Sequence, residues 1–526
     1  MKPGPYLNQP IFIISAFVLV VLGVGGACIR ASSKPSDLMT TPSGSERSAP
    51  PAPGTASVAN SNANVIKYLY SPPTRIPGAP ILTPTPDPPH AVPTPRSSSD
   101  QYTVKAGDTL RLIAEAHGVS IEKIMAASSL SDPNVLSIGQ VLTIPVPTPV
   151  GRAPEFKVIP DSELVNGPYS SPFSVEDFVS SQGGYLADYH ENVNGEHLSG
   201  VQIVALIARD YSINPRLLLA VLEYQGGWVT KPKPETVALD YPIGLQDLDM
   251  RGLYKQLSWA ANELNRGYYL WKVNAVNNWI LADGTVVVPS ATINAGTAGV
   301  QNLFARLDGL QEWLVAIYED GLAVTYNQFF GFPFDYTFNP IVPVDLSQPV
   351  FQLPFDSSVI WYLTSGPHGG WGSGSAWAGL DFAPPGEKEG CLRSNDWVVA
   401  IADGLIIRAE NGAVVQDLDG DGLEQTGWTI LYMHIESLDL IQANTFLHAG
   451  ERIGHPSCEG GVSTGTHVHL ARRYNGEWIP ADSSPPFVLD GWVPISFGSE
   501  YNGGLRRNGQ NIEALDERSP NNEIKH

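Results

Sequence analysis

Hydrophobic spacing divides this chain into regions of different character. Between residues 165 and 340, apolar positions recur at helical spacing. The pattern predicts helices over 201–211, 215–224, 254–271 and 299–318. From 345 to 500 it changes to short, Gly-bounded runs of strand-forming residues, which predict an antiparallel β-sheet domain. Residues 501–526 are predicted to be a polar tail, so we expect a multidomain α+β chain.

Residues 101–147 form a compact unit of their own. Two strand patterns flank two helical patterns, over 102–104, 110–117, 121–128 and 140–145. Thr109 is a typical residue before a helix, and Gly118 is a typical residue after one. We therefore predict a βααβ module at this position.

The N-terminus has the pattern of an export signal. Residues 11–27 are almost wholly apolar, a short segment with Lys2 precedes them, and Cys28 follows. Segment 1–28 is interpreted as a lipoprotein signal that leaves Cys28 lipidated, as a cleaved signal peptide or as an uncleaved membrane anchor. Residues 29–100 are rich in Pro, Ser and Thr and predict a disordered linker. We expect an exported protein of the cell envelope, either membrane-anchored or secreted.

Composition narrows the classes of function. The 526 residues carry a formal net charge of −22, and no stretch of the sequence has the basic density that nucleic-acid binding requires. Nucleic acid is therefore not an expected partner.

Apart from Cys28, the cysteines are Cys391 and Cys458. We predict a disulfide between them, because an oxidising compartment would permit it, and two buried free thiols are the alternative.

One Gly-rich, strand-like region contains several histidines and an aspartate, which are residue types that bind metal ions. His467 and His469 alternate along a predicted strand, so both imidazoles are expected to face one cleft. His434 ends a second predicted strand, and His368 and Asp381 precede both. Two nitrogens and one carboxylate oxygen, with a fourth position for water, are the ligands of a catalytic zinc site.

These residues resemble the zinc metallopeptidases of the lysostaphin and LytM type, which cut peptide bonds in bacterial peptidoglycan. In the commonest form of that family a His stands four residues before the metal-binding Asp, and this chain has Trp377 there. The beta-lytic endopeptidase and staphylolysin branch instead has twelve residues between a His and the Asp, which is the spacing of His368 and Asp381. The resemblance implies that His368, Asp381 and His469 bind zinc.

The same resemblance makes His434 and His467 the catalytic histidines, which position the attacking water and stabilise the tetrahedral intermediate. It implies hydrolysis of peptide bonds in the stem peptides or cross-bridges of peptidoglycan. The alternative is a catalytically inactive cell-wall scaffold that activates other hydrolases. Loss of any one of the three implied metal ligands would favour the scaffold, and all three are present.

The unit at 101–147 resembles the LysM module. The resemblance is carried by the Tyr-x-Val-x-x-Gly-Asp-Thr-Leu stretch that begins at Tyr102, by Asn134, and by the closing Gly-Gln-x-Leu-x-Ile-Pro that ends at Pro145. It implies a βααβ fold that binds N-acetylglucosamine-containing glycans, which in bacteria means peptidoglycan. A module that has kept the fold and lost the glycan is the alternative.

Glu223 lies near the end of a helical pattern that is similar to the helix of lysozyme-like transglycosylases that delivers their catalytic Glu. This resemblance makes residues 165–340 a lysozyme-like helical domain and Glu223 the general acid of a glycosidase, a third functional hypothesis. A helix cap within a helical spacer is the alternative.

Asp417, Asp419 and Asp421 repeat the opening of a calcium loop, with alternating oxygen ligands. Trp428 stands at the twelfth position, where such loops have a bidentate Glu. A structural Ca²⁺ site and a polar hairpin are the two interpretations.

Overall fold

The computed structural model describes residues 84, 87–94, 96–105, 108–386 and 390–526. The predicted export segment, Cys28 and most of the predicted linker lie outside the described residues. Within the described ranges, no helix is both long enough and apolar enough to cross a membrane.

The unit at the start of the described chain has the predicted βααβ order. Its elements are β1 (Asp100–Thr103), α1 (Leu110–His117), α2 (Ile121–Ser128) and β2 (Val141–Ile144), with β1 and β2 antiparallel. The Thr109 side chain accepts a hydrogen bond from the Leu112 N–H, and Gly118 ends α1 in the left-handed conformation. Ile124, Leu142 and Ile144 are fully buried between the two layers, so the unit has a core of its own.

The helical region contains both long helices and two short hairpins. Its helices are α3 (Asp161–Leu164), α4 (Val175–Gln182), α5 (Tyr185–Asp188), α6 (Gly200–Asp210), α7 (Pro215–Gly226), α8 (Thr236–Asp240), α9 (Leu253–Lys272), α10 (Ala295–Ala305), α11 (Leu310–Ala316) and α12 (Leu322–Phe330). Its hairpins are β3 (His190–Val193) with β4 (Glu196–Ser199), and β5 (Trp279–Ile280) with β6 (Val286–Val287). Short 3₁₀ turns occupy Pro168–Ser170, Leu248–Met250 and Pro333–Tyr336.

The predicted single helix over 299–318 is wrong. The chain turns after α10, which is buried along its whole length, and α11 begins as a separate helix. Asp283 accepts a hydrogen bond from the Leu310 N–H, so a distant carboxylate satisfies an N–H group that a continuous helix would have paired internally. The other three predicted helices match α6, α7 and α9 to within two residues at each end.

The C-terminal region is built from antiparallel strands. They are β7 (Trp361–His368), β8 (Gly379–Ala383), β9 (Val398–Val399), β10 (Gly404–Glu410), β11 (Ala413–Asp417), β12 (Trp428–Met433), β13 (Thr445–Leu447), β14 (Arg452–Gly454), β15 (Val468–Tyr474), β16 (Glu477–Trp478), β17 (Val493–Ser499), β18 (Asn502–Arg507), β19 (Gln510–Glu513) and β20 (Glu523–Ile524). Within the described chain, the largest sheet has nine strands in the order β13-β10-β11-β12-β15-β8-β7-β20, with β16 beside β15.

The two faces of this sheet have different neighbours. One face, with Val414, Tyr432 and Leu470, packs into a core made by the C-terminal region alone. The opposite face, with Leu431 and Ala471, packs into the same core as the helical region. The helical region and the sheet therefore share one apolar core, and separating them would expose that sheet face to water.

Residues 501–526 are not a polar tail, and that prediction is wrong. β18 and β19 form a three-stranded sheet with β17, and β20 extends the large sheet beside β7. Asn508 and Gly509 both have positive φ, 49° and 82°, as the central residues of a type I′ hairpin turn do. Leu505 and Ile512 are buried, which explains why this charged sequence still folds against the domain.

The end of the predicted linker is packed, in contrast to the disordered chain expected up to residue 100. The His90 ring stacks on Trp271 with centroids 4.4 Å apart. The Asp87 carboxylate pairs with Lys157 at 3.0 Å, and the Asp87 N–H donates to the Thr292 carbonyl. Val92 of the same segment also packs against the core of the helical region.

Candidate metal centre

Three neighbouring strands bring the predicted metal ligands together. His368 is the last residue of β7, Asp381 lies in β8 and His469 lies in β15. Asp381 and His469 are direct cross-strand partners, and His368 pairs with Gly379. A Cβ atom at Gly379 would lie 2.3 Å from the His469 ring. Glycine at this position therefore leaves room for both imidazoles.

The three ligand atoms lie at separations that suit one metal ion. His368 Nε2 is 2.9 Å from His469 Nδ1, which is 3.0 Å from Asp381 Oδ1. His368 Nε2 is 3.3 Å from the same oxygen. Ligands placed about 2.1 Å from a tetrahedral zinc ion are separated by roughly 3.4 Å. All three side chains are buried, so two imidazoles and a carboxylate form a fitting zinc-binding set.

Backbone carbonyls orient the two ligand imidazoles. His368 Nδ1 donates to the Gly366 carbonyl at 2.9 Å, and His469 Nε2 donates to the Gly370 carbonyl at 3.1 Å. A neutral imidazole that donates through one nitrogen carries a lone pair on the other. His368 Nε2 and His469 Nδ1 are therefore the nitrogens that face Asp381 and would be available to a metal ion, which is how metal-binding histidines are held.

His434 and His467 lie beside these ligands, with ring centroids 4.4 Å apart. His434 Nδ1 is 2.8 Å from the Glu459 carbonyl, and His467 Nδ1 is 2.7 Å from the Gly465 carbonyl. By the same tautomer argument, each ring keeps a lone pair on Nε2. His434 follows β12 with a φ of 62°, a left-handed conformation that is uncommon for a non-glycine residue and costs free energy at a functional site.

Burial and neighbouring charges set the protonation of the cluster. Burial, together with His467 and His469, lowers the pKa of His434 to about 4, so this ring is neutral at pH 7. Burial also lowers the pKa of His469. Burial by itself would raise the pKa of Asp381, but His368 and His467 outweigh it and hold that pKa well below its usual value. Burial by itself would lower the pKa of His368, but the Asp381 carboxylate outweighs it and raises that pKa. The cluster thus combines an ionised carboxylate with a neutral His434 ring.

A disulfide joins Cys391 to Cys458, with Cα atoms 5.7 Å apart. Cys458 lies between Ser457, which pairs with His467, and Glu459, whose carbonyl accepts from His434. The bridge therefore ties the segment that orients both additional histidines to the loop after β8.

The sequence analysis missed two residues at the edge of the cluster. The Tyr501 ring stacks on His368 with centroids 4.5 Å apart and an interplanar angle of 20°. Glu500 accepts a hydrogen bond from the Gly369 N–H at 3.1 Å. The turn pair Asn508-Gly509 was the available signal that a hairpin, rather than a tail, follows these residues. Their place beside His368 and Gly369 has no local signal in the sequence.

Glu223 has a structural role at the end of α7. Its Oε2 accepts hydrogen bonds from the backbone N–H groups of Val229 and Thr230, at 2.9 and 3.0 Å, and its Oε1 accepts from the Thr230 hydroxyl. The carboxylate therefore anchors the loop that follows its own helix. This arrangement favours the helix-cap interpretation over a general acid.

Asp417, Asp419 and Asp421 lie close enough for their carboxylates to hold one cation. Asp417 already accepts hydrogen bonds from the backbone N–H groups of Asp419, Gly420 and Gly422. Burial raises the pKa of Asp417 to about 7, so ionisation at this position is costly. These features support the polar-hairpin interpretation.

Family models match two parts of the chain. Residues 102–145 match the LysM domain, and residues 157–341 match the LasA N-terminal domain. The LysM prediction from the sequence is thereby confirmed. The second match favours a LasA-type domain over the lysozyme-like domain that the sequence suggested.

Comparison with individual proteins finds similarity to metallopeptidases. Protease LasA of Pseudomonas aeruginosa is 26% identical over 339 residues, which cover 61% of this chain and 74% of that protein. Beta-lytic metalloendopeptidase of Lysobacter enzymogenes is 26% identical over 174 residues, 31% of this chain and 91% of that protein. A solved structure of pseudoalterin, described as a novel M23 metalloprotease from the deep sea, is 22% identical and covers 33% of this chain and 99% of its own, with a TM-score of 0.27.

Proposed function

Proceeding from this homology to protease LasA and the beta-lytic metalloendopeptidases, we propose that the protein is an exported zinc metalloendopeptidase that cuts peptide bonds of peptidoglycan. One observation carries the proposal. Two buried imidazole nitrogens and one carboxylate oxygen, from His368, His469 and Asp381, converge at separations of 2.9–3.3 Å. Each imidazole is held in place by a backbone carbonyl, which prepares the set to bind a metal before substrate arrives.

His368, Asp381 and His469 would hold the zinc ion. The bound ion supplies Lewis-acid polarisation of the scissile carbonyl and makes a water molecule easier to deprotonate. The chain provides the remaining functions. The burial of the ligands and the fixed imidazole orientations reduce the reorganisation that the reaction requires.

His434 and His467 would move the proton and stabilise developing charge. Both rings direct a lone-pair nitrogen away from the carbonyl that holds them, so each can accept a proton from the attacking water. A protonated imidazole can then donate to the departing amine or to the tetrahedral oxygen. The ring contact of 4.4 Å between the two histidines keeps both groups near one reacting centre.

The LysM domain would direct this chemistry to its substrate. A LysM domain implies binding to peptidoglycan glycan chains, and the ion pairs of Glu115 with Arg266 and Arg306 attach α1 of this domain to the helical region. We propose that glycan binding raises the local concentration of stem peptides around the metal centre.

Residues 1–28 supply the proposed route of export, an interpretation supported by their sequence alone. Lipidation of Cys28 would then anchor the protein to a membrane through the linker. Fractionation of cells that express the Cys28→Ser variant tests this point. Release of that variant into the soluble fraction supports the anchor, and unchanged partitioning would eliminate lipidation as its basis.

The catalytic proposal is tested with the full chain and its His368→Ala variant. We expect close to one equivalent of zinc in the parent protein and new amino groups, but no new reducing ends, when it digests purified peptidoglycan. His368→Ala should lose both zinc and cleavage. His448→Ala is a matched control, because His448 is 69% exposed and pairs with Asp403, away from the cluster.

Two outcomes would overturn this assignment. A parent protein without zinc that releases no peptide ends would leave the cell-wall scaffold as the better account. Release of reducing ends alone would instead indicate a glycosidase.

A further inference from the structure

The segment 369–377 connects two of the metal ligands and also orients the third. It leaves His368 at the end of β7 and returns to β8, which carries Asp381. Within it, the Gly370 carbonyl lies 3.1 Å from His469 Nε2. The position of this carbonyl therefore determines the orientation of the His469 ring and the direction that its Nδ1 atom faces.

The segment has hydrogen bonds of its own, including two donated by the Ser375 hydroxyl to the Gly372 and Ala376 carbonyls, and Glu500 accepts one from the Gly369 N–H. The Trp371 N–H donates to the Ser375 hydroxyl at 3.0 Å, and the Gly370 N–H donates to the Ala376 carbonyl at 3.1 Å. Gly369, Gly370, Gly372 and Gly374 make the backbone permissive, so fixing its conformation costs more entropy than for other residues. Support from outside the segment therefore helps to hold the carbonyl of Gly370 in one place.

The helical region provides that support through α9. Asn262 Oδ1 accepts a hydrogen bond from the Gly374 N–H at 2.8 Å, and Asn262 Nδ2 lies 3.4 Å from the Ser373 hydroxyl. A Cβ atom at Gly374 would lie only 2.0 Å from the backbone carbonyl oxygen of Asn262, so the two backbones are in direct contact. Tyr211, which follows α6, makes an edge contact with Trp371.

We infer that Asn262 is a positioning residue of the metal centre: it holds segment 369–377 so that the Gly370 carbonyl orients His469. The helical region is then a working part of the site. It supports one ligand through a chain of three contacts, from Asn262 to Gly374, along the segment to Gly370, and from Gly370 to His469. The inference rests on the proposed zinc-binding function.

The effect is expected in metal affinity. Groups that hydrogen-bond directly to a metal ligand typically change affinity 10- to 100-fold when they are removed. Asn262 acts one step further away, so we expect a loss near the lower end, about tenfold. The ligand set itself remains complete, so zinc should still bind at saturating concentration.

The experiment measures zinc affinity of the full chain by competition with a chromophoric chelator. Asn262→Leu removes both side-chain hydrogen bonds at similar volume and should weaken zinc binding about tenfold. Asn262→Asp keeps an oxygen acceptor for the Gly374 N–H and should bind zinc nearly as the parent does. Gly374→Ala approaches the same contact from the other side, because the added Cβ would meet the Asn262 carbonyl, and should weaken zinc binding even if Asn262→Leu does not fold.

One further readout and one control variant separate positioning from general loosening of the interface. The visible absorption of the Co²⁺-substituted protein should change in Asn262→Leu and Gly374→Ala, because the ligand geometry changes. Glu410→Gln is the matched control. It breaks the ion pair of Glu410 with Arg209 of α6, 2.6 Å long, at a part of the same interface that does not contact the segment, and it should leave both measurements unchanged.

The outcomes are distinguishable. A parent that binds zinc, with equal affinity in Asn262→Leu and Gly374→Ala, overturns the positioning role and leaves the proposed function intact. Equal weakening in Glu410→Gln also overturns it, since any damage to the interface would then suffice. A parent that binds no zinc contradicts the proposed function first.

Discussion

The metal centre and the end of α7 both contain charged or ionisable side chains. They differ in how many polar atoms of those side chains remain available to bind a further group. At the metal centre, each of the four imidazoles uses one nitrogen on a backbone carbonyl and directs its other nitrogen elsewhere. Glu223 instead uses both carboxylate oxygens on the residues that follow its own helix.

The difference shows that a reactive site is recognised by polar atoms that lie close together and are not already used in hydrogen bonds within the protein. Glu223 accepts hydrogen bonds from Val229 and Thr230, in the loop that follows its helix, so its structural role needs no ligand. The histidine cluster assembles atoms from β7, β8 and β15 that pair fully only with an additional group such as a metal ion. Four changes would break or sharpen this comparison.

The largest effect is expected for His434→Ala. Loss of a proton-transferring imidazole should reduce kcat for peptide cleavage by about 10²- to 10⁴-fold, while zinc content should stay unchanged because His434 is not among the three proposed ligands. Steady-state cleavage assays and metal analysis of the same preparation check both points. Full activity in His434→Ala would mean that His434, like Glu223, has only a structural role. Loss of zinc in this variant would mean that His434 is a metal ligand.

The next effect is expected for Cys391→Ser. The disulfide closes a separation of 67 residues, and its loss should lower the free energy of unfolding by about 4 kcal/mol by relaxing the constraint on the unfolded chain. Urea unfolding followed by tryptophan fluorescence measures this change. Cys458→Ser should give the same value, because both variants lose the same bond, and unequal values would show that one thiol has another role.

An intermediate effect is expected at the boundary between the two regions. Burial by itself would raise the pKa of Glu424, but Arg408 and Arg473 outweigh it and lower that pKa from 4.5 to about 2. Because the folded-state pKa is lowered, this contribution is present above about pH 5 and is lost as the pH falls from about 4.5 towards 2. It amounts to about 3 kcal/mol.

Glu424→Gln should therefore lower Tm at pH 7 and flatten the decline of Tm between pH 5 and pH 2. Thermal unfolding across that range measures both effects. Glu410→Gln is the control, since Glu410 is 50% exposed in its ion pair and surface pairs contribute only about 0–1 kcal/mol. If Tm of Glu424→Gln falls as steeply between pH 5 and pH 2 as Tm of the parent, other carboxylates govern acid unfolding.

The smallest effect is expected for Glu223→Gln. The amide keeps one oxygen acceptor for the loop after α7, so we expect a loss of about 1 kcal/mol in the free energy of unfolding and no change in peptide cleavage. Peptidoglycan digestion assayed for reducing ends tests the remaining alternative. Reducing ends that appear with the parent protein and disappear with this variant would restore Glu223 as a general acid.

Local patterns were sufficient for much of the architecture. Helix caps and 3.6-residue spacing placed α1, α2, α6, α7 and α9, because each signal acts within a few residues of where it stands. The same spacing failed to separate α10 from α11. There the Asp283 carboxylate accepts a hydrogen bond from the N–H of Leu310, the first residue of α11 and 27 residues away in the chain. It also failed for the C-terminal hairpin, whose burial depends on a sheet formed elsewhere.

By itself, the sequence indicated which side chains could form the metal centre. Alternation along a strand is expected to put His467 and His469 on one side, and the resemblance to the beta-lytic branch implies His368 and Asp381. Only the tertiary structure decided how those side chains are used. The Gly370 carbonyl that holds His469, the Tyr501 ring on His368 and the Asn262 contact to Gly374, 112 residues away, arise from chain segments that meet after folding. No local pattern encodes such contacts, because their free energy depends on the whole packed core.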